Sequence, residues 1–270
     1  MRRATALLLF AVLLCCMWPA SARADEPTSG EAALVLDGIA KRVAGMLAII
    51  NGRVAEVARA LSHAGTDQKK VRRALKWLCE STPDSVDCVF VGPDGRIVSV
   101  EPAEYRYAEG ADVSGHDVTV RVRETVKPFL SPVFGIVEGF NAAVLHHPIV
   151  RDGLYAGAVS FPVRIDTIVA EQSRQALRGK SGFEVWAVQP DGLIVYAPDA
   201  GVIGQNVSGG HCELAGLASR LAGERQGSTF YQAMQGERDI LRKEALWTTV
   251  GMHGSEWRLV VTITKRGASR

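Results

Sequence analysis

From Leu36 to Leu61, apolar side chains return every three or four positions, at Leu36, Ile39, Val43, Met46, Ile50, Val54, Val57 and Leu61. Lys41, Arg42, Arg53, Glu56 and Arg59 fill the opposite side. This spacing predicts a long amphipathic helix with one apolar stripe. Ala64-Gly65 ends it, and Thr66 or Asp67 caps a second helix that carries Val71, Leu75 and Leu78 on its apolar face and ends near Cys79. Beyond Cys79 the pattern becomes that of strands. Val89-Phe90-Val91 runs into the turn Pro93-Asp94-Gly95, and Ile97-Val98 runs out of it. Proline presets φ, aspartate bonds back to nearby backbone, and glycine takes the positive φ of a tight turn.

The same punctuation returns roughly a hundred residues later. Trp186-Ala187-Val188 enters Pro190-Asp191-Gly192, and Leu193-Ile194-Val195 leaves it. Gly110 and Gly204 follow in their polar loops, and Val113-Ser114-Gly115 and Val207-Ser208-Gly209 lead into helix-like sequence, with the serines placed as N-caps. In the first copy the helix runs from near Ser114 to about Val126, followed by strands at Val133–Val137, Ala142–Val150 and Tyr155–Val163, joined at Glu138-Gly139 and Arg151-Asp152-Gly153. Arg164 to Leu177 reads as a connecting helix. The second copy has a helix from about His211 to Leu221 and strands at Ser228–Met234, Asp239–Val250 and Glu256–Ile263, joined at Gln235-Gly236 and Gly251 to Gly254. The fold class is α+β: a long N-terminal helix and then two tandem modules, each a five-stranded antiparallel sheet with flanking helices. An antiparallel sheet packed on one face leaves the other for loops and a helix to enclose a pocket.

The first residues belong to none of this. Arg2 and Arg3, the apolar run Ala4 to Trp18, and Ala22-Arg23-Ala24 read as a signal peptide over 1–24. The run is nearly long enough to act as an uncleaved anchor, but the small-residue site favours cleavage. Leu14 stands where a lipidated cysteine would need a small neighbour. A periplasmic or extracellular location follows as an expectation. Losing Arg2, Arg3 and Arg23 takes three positive charges from the formal +2 and leaves −1, without the basic footprint of nucleic-acid binding. The segments then read as a helical scaffold over 25–80, a module over 81–164, a connecting helix over 165–180 and a module over 181–265. In an oxidising compartment Cys79 and Cys88 can form a disulfide, although buried thiols fit nearly as well; Cys212 is left over.

In this order, the elements resemble the double Cache domains, PAS-like extracytoplasmic sensors. Gly110-Ala111-Asp112-Val113-Ser114-Gly115-His116-Asp117 is similar to that family's loop into its pocket helix. Phe129-Leu130-Ser131-Pro132 resembles its next strand entry, Val144 to Val163 its paired final strands, and Tyr196-Ala197-Pro198-Asp199 through Ile203-Gly204-Gln205-Asn206-Val207 the loop of its second module. The resemblance covers roughly Leu34 to Ile263. It implies sensing of a small molecule held in the first, membrane-distal module. Val118-Thr119 stand where the family's amino-acid binders carry an aromatic pair, and Phe161-Pro162-Val163 where they carry an acid for the amine. The expected ligand is therefore an organic acid or similar. The chain ends soon after Lys265-Arg266-Gly267, from which a membrane-bound signalling partner is expected to read the signal.

The candidate ligand-binding residues are those on the loop, helix and strands around the first pocket: Tyr105, Tyr107, His116, Arg121, Ser131, Phe134, Asn141, His146 and Tyr155. An apolar lining with a few converging polar groups suits a small molecule. Arg121 or Arg123 offers a fork for a carboxylate, and since they lie about 200° apart on a helix only one faces inward. His146 and His147 point to opposite faces of a strand, one toward the pocket or core and the other toward the surface. His63, His116, His211 and His253 lack zinc spacing, so no metal or cofactor is expected. There is no G-x-S-x-G elbow, and Asp94 and Asp191 are turn residues, so no enzyme is expected. The alternative is an interaction module without a ligand, a homodimer paired through the long helix at Ile39 and Val43.

Overall fold

The computed structural model describes residues 27–64, 67–82, 85–137, 139–209, 215–235 and 239–265. The signal segment and Cys212 lie outside them, as do Gly65, Thr66, Glu138, His211 and Gly236 at predicted helix ends and turns. Helix α1 spans Ser29–Ala64 and α2 spans Gln68–Ser81. Asp67 caps α2 by accepting the Lys70 N–H at 3.0 Å. On α1, the predicted stripe is buried from Leu36 to Leu61 apart from the half-buried Met46, and Leu47 joins it. The stripe packs on both sheets of its own chain. Ile39 and Val43 are wholly enclosed there, so the expectation of a dimer seam through them does not hold.

The first sheet contains β1 (Cys88–Val91), β2 (Ile97–Glu101), β3 (Phe129–Leu130), β4 (Phe134–Gly135), β5 (Asn141–Arg151) and β6 (Leu154–Val163). Its order is β2-β1-β6-β5-β3, with β4 also on β5. Helix α3 (Asp117–Thr125) covers one face, and α4 (Ile165–Ala176) leads to the second sheet. That sheet runs β8-β7-β11-β10-β9, built from β7 (Phe183–Val188), β8 (Ile194–Tyr196), β9 (Gly227–Gln235), β10 (Asp239–Met252) and β11 (Ser255–Lys265), with α5 (Ala215–Gly223) before β9. The fold class holds: α+β, with two tandem PAS-like sheets behind one long helix.

The duplication extends to individual backbone bonds. Gly110 N–H donates to Ile97 O at 2.8 Å and Gly204 N–H to Ile194 O at 2.8 Å. Val113 N–H reaches Gly95 O at 2.9 Å, and Val207 N–H reaches Gly192 O at 2.9 Å. Each Pro-Asp-Gly turn is therefore tied to the Val-Ser-Gly step of its own copy. Gly95 needs its hydrogen side chain, because with φ +83° a Cβ there would lie 2.5 Å from Ser114 Cα.

The copies differ in their third strand. In place of the one expected strand, Val133–Val137, there are two short pieces, Phe129–Leu130 before that stretch and Phe134–Gly135 within it, so the first sheet has six strands rather than five. Phe129 and Leu130 pair with His146 and Leu145, while Phe134 and Gly135 pair with Ala142 and Asn141. Between the pieces lie Ser131, whose hydroxyl accepts the Val144 N–H at 2.9 Å, and Pro132, which has no N–H for the ladder. The serines are not N-caps. Helix α3 begins at Asp117 after His116, Ser114 N–H donates to Asp112 Oδ1 at 3.0 Å, and the Ser208 hydroxyl donates to Asn206 Oδ1 at 2.6 Å. A Cys79–Cys88 disulfide, with Cα atoms 5.9 Å apart, ties α2 to β1.

The modules meet at α1. Asn51 Oδ1 lies 2.7 Å from His147 Nε2 and 2.8 Å from His253 Nε2, one histidine from each sheet. Ser255 Oγ donates to Leu130 O at 2.6 Å, and Val133 N–H to Gln189 Oε1 at 2.6 Å.

Candidate functional site

The first module encloses a hollow between the pocket face of its sheet, α3 and the chain at 134–137. Val144 and His146 of β5, with Ser160 and Pro162 of β6, form the floor. Val118 and Thr119 come from α3, His116 from its N-cap, and Phe134, Ile136 and Val137 close the side. The cavity volume is about 40 Å3, room for a few waters at most.

His146, only 3% exposed, is a buried polar group of this floor, as is Ser160. Its Nε2 lies 3.5 Å from Thr119 Oγ1, and among the described residues Nδ1 has no partner. Burial, with a smaller contribution from His116, lowers its pKa to about 3, so the ring is neutral at physiological pH. The His116 ring meets Phe134 edge-on at 6.0 Å.

Three of the nine expected residues, His116, Phe134 and His146, line this hollow. The others lie elsewhere. Tyr105 packs half-buried against the apolar cluster that contains Val89 and Val100, and Tyr107 is 66% exposed. Arg121 is exposed with its guanidinium over the Phe129 ring, Arg123 does not line the hollow, and among the described residues no lysine or arginine does, so the expected carboxylate fork is not formed there. Ser131 is bound to backbone, and Asn141 is exposed at the start of β5. Tyr155 is half-buried beyond the hollow, and burial raises its pKa. Beside it the β5–β6 register shifts between Pro148 and Val150, at Gly157, where with φ +119° a Cβ would lie 2.4 Å from Val91 O. His147 is buried against α1 rather than on the surface, and burial lowers its pKa to about 4. Sequence reasoning missed Thr119 and Ser160; Thr119 lies three positions after His116, one helical turn on, which was a usable signal.

Residues 45–164 match the family model described as the HK/GC/chemotaxis protein-like sensor domain. The fold is the double Cache fold. Over 87% of this chain and 41% of the other, it superposes on an extracellular ligand-binding receptor from Desulfohalobium retbaense with TM-score 0.75 and 26% identity. The chain thus spans less than half the length of that receptor. The ligand-binding domain of a Pseudomonas aeruginosa amino acid chemoreceptor, PctC, in complex with GABA, aligns with TM-score 0.64 and 15% identity over 88% of this chain and all of that one. The periplasmic sensory domain of a Campylobacter jejuni chemoreceptor aligns with TM-score 0.57 and 14% identity over 87% of this chain and 92% of that one. No curated protein matches the chain. Among the described residues no helix is long and apolar enough to cross a membrane, and no three metal-ligating side chains cluster.

Proposed function

We propose that this double Cache chain is an extracytoplasmic sensor unit, with a scaffold over 25–80 and modules over 81–164 and 181–265, and that its first module takes a small uncharged organic molecule. The observation that carries this reading is the neutral, fully buried His146 on the wall of the hollow, with one ring nitrogen unpaired. A buried polar atom without a partner costs about 1–3 kcal/mol, which a ligand supplying the hydrogen bond would recover. Without a lysine or arginine in the lining, a carboxylate would have no fixed counter-charge, which moves the reading from organic acids to neutral molecules. At about 40 Å3 the hollow is closed to such a guest, so binding requires the segment bearing Phe134, Ile136 and Val137 to move outward. That segment adjoins Leu130 and Val133, which hold the second module, so its displacement would reach the joint at α1 and be read by a membrane-bound partner.

Thermal-shift screening of the whole chain with sugars, purines, amines and organic acids tests this. A ligand at a hundred times its dissociation constant stabilises by about 2.7 kcal/mol. His146→Leu and Thr119→Val should each abolish the shift for that compound while leaving the unliganded chain folded. A full shift in both variants excludes the site.

A further inference from the structure

The second module has its own hollow in the corresponding place, of about 300 Å3. We propose that it is a separate ligand site, for an uncharged molecule with an apolar body and a hydrogen-bond acceptor at one end. Most of its wall is apolar: Val188, Val202, Leu217, Leu221 and Val260. At one side the sheet presents a connected polar row. Lys243 Nζ donates to both carboxylate oxygens of Glu184 at 2.7 Å, and the Thr262 hydroxyl donates to Glu184 Oε2 at 3.1 Å. Tyr231 is hydrogen-bonded to Thr262, and burial pushes its pKa up to about 12.

The two charges cancel. Lys243, with a side chain 13% exposed, is matched by Glu184, and Tyr231 stays neutral. Asp199 lies exposed at the rim and already accepts the Gly201 N–H at 2.8 Å. A charged guest would have to break the Lys243–Glu184 pair, leaving one member unpaired in a partly buried place. The indole of Trp186 forms another part of the wall, and among the described residues its buried Nε1–H has no partner. An indole nitrogen only donates, so the complementary group is an acceptor such as a carbonyl or ether oxygen. The volume suits one or two rings. This site shares no residue with the first hollow, so either can fail without the other.

The test uses the full chain, with coumarin and acetophenone as neutral probes and coumarin-3-carboxylate and phenethylammonium as charged counterparts. The indole N–H signal of Trp186, assigned by its loss in Trp186→Phe, is followed by NMR. A neutral probe should shift it saturably at about 1 mM or below, and the charged counterparts should bind at least about tenfold more weakly. Val260→Phe and Ala233→Phe, which fill the hollow from different strands, should each weaken binding about tenfold or more, while His146→Leu leaves it unchanged. The proposal is overturned if neither neutral probe moves the signal, if a charged counterpart binds as tightly, or if a folded filling variant binds like the parent.

Discussion

The two modules share a plan and even individual backbone bonds, yet one hollow is about 40 Å3 and the other about 300 Å3. The difference lies in the strand that follows the covering helix. In the second module it is one continuous piece, Gly227–Gln235, paired along β10. In the first it breaks at Ser131-Pro132, and the chain beyond the break turns Phe134, Ile136 and Val137 onto the hollow. A single interruption of a hydrogen-bond ladder thus accompanies the difference in open space over the two sheets.

The largest effect should come from adding volume to each hollow. Val144→Phe in the first module should cost roughly 1–3 kcal/mol, because an added ring meets packed side chains. Val260→Phe in the second should cost less than about 1 kcal/mol, since space already exists. Urea unfolding of both variants measures this, and equal costs would erase the contrast. A smaller effect should appear with pH. Unfolded His146 takes a proton near 6.5 and the folded residue only near 3, so the unfolded state gains protons first as pH falls. Stability present above pH 6.5 is then lost through that window, by roughly 2 kcal/mol at pH 5. His147 acts in the same direction, and among the described residues no histidine lines the second hollow. His146→Leu should flatten the pH dependence by its share, and a curve as steep as the parent's would mean that this ring is not held neutral. The smallest effect belongs to α1, the element both modules use. A Cβ added at Gly45 meets nothing within 4 Å, so Gly45→Ala should stabilise by about 0.5–1 kcal/mol. Destabilisation in thermal or urea unfolding would show that this exposed face is packed in solution.

The features governed by short-range rules were readable from residues alone. The α1 stripe, the paired Pro-Asp-Gly turns, the Arg151–Gly153 hairpin and the Asp67 cap depend on local spacing and turn chemistry. What escaped depends on phase and volume. Alternation along β6 predicts which residues share a face only until the register shifts beside Gly157, so spacing alone does not place Tyr155 relative to His146 and Ser160. Nothing local distinguishes Val133–Val137 as half a strand and half a plug. The polar row of the second hollow left a trace, since Glu184 and Trp186 alternate on one face of a short strand, but its partners Lys243, Tyr231 and Thr262 come from strands brought together only by the fold.

The apolar stripe of α1 lies against both sheets at once, and its enclosed residues form one continuous cluster with Leu145 and Phe161 on one side and Trp257 and Leu259 on the other. Each copy keeps a small apolar cluster of its own, but the largest is shared, and the copies lean on a common spine. Cutting the chain between them would strip a greasy flank from each half, so the pair should melt in a single calorimetric step.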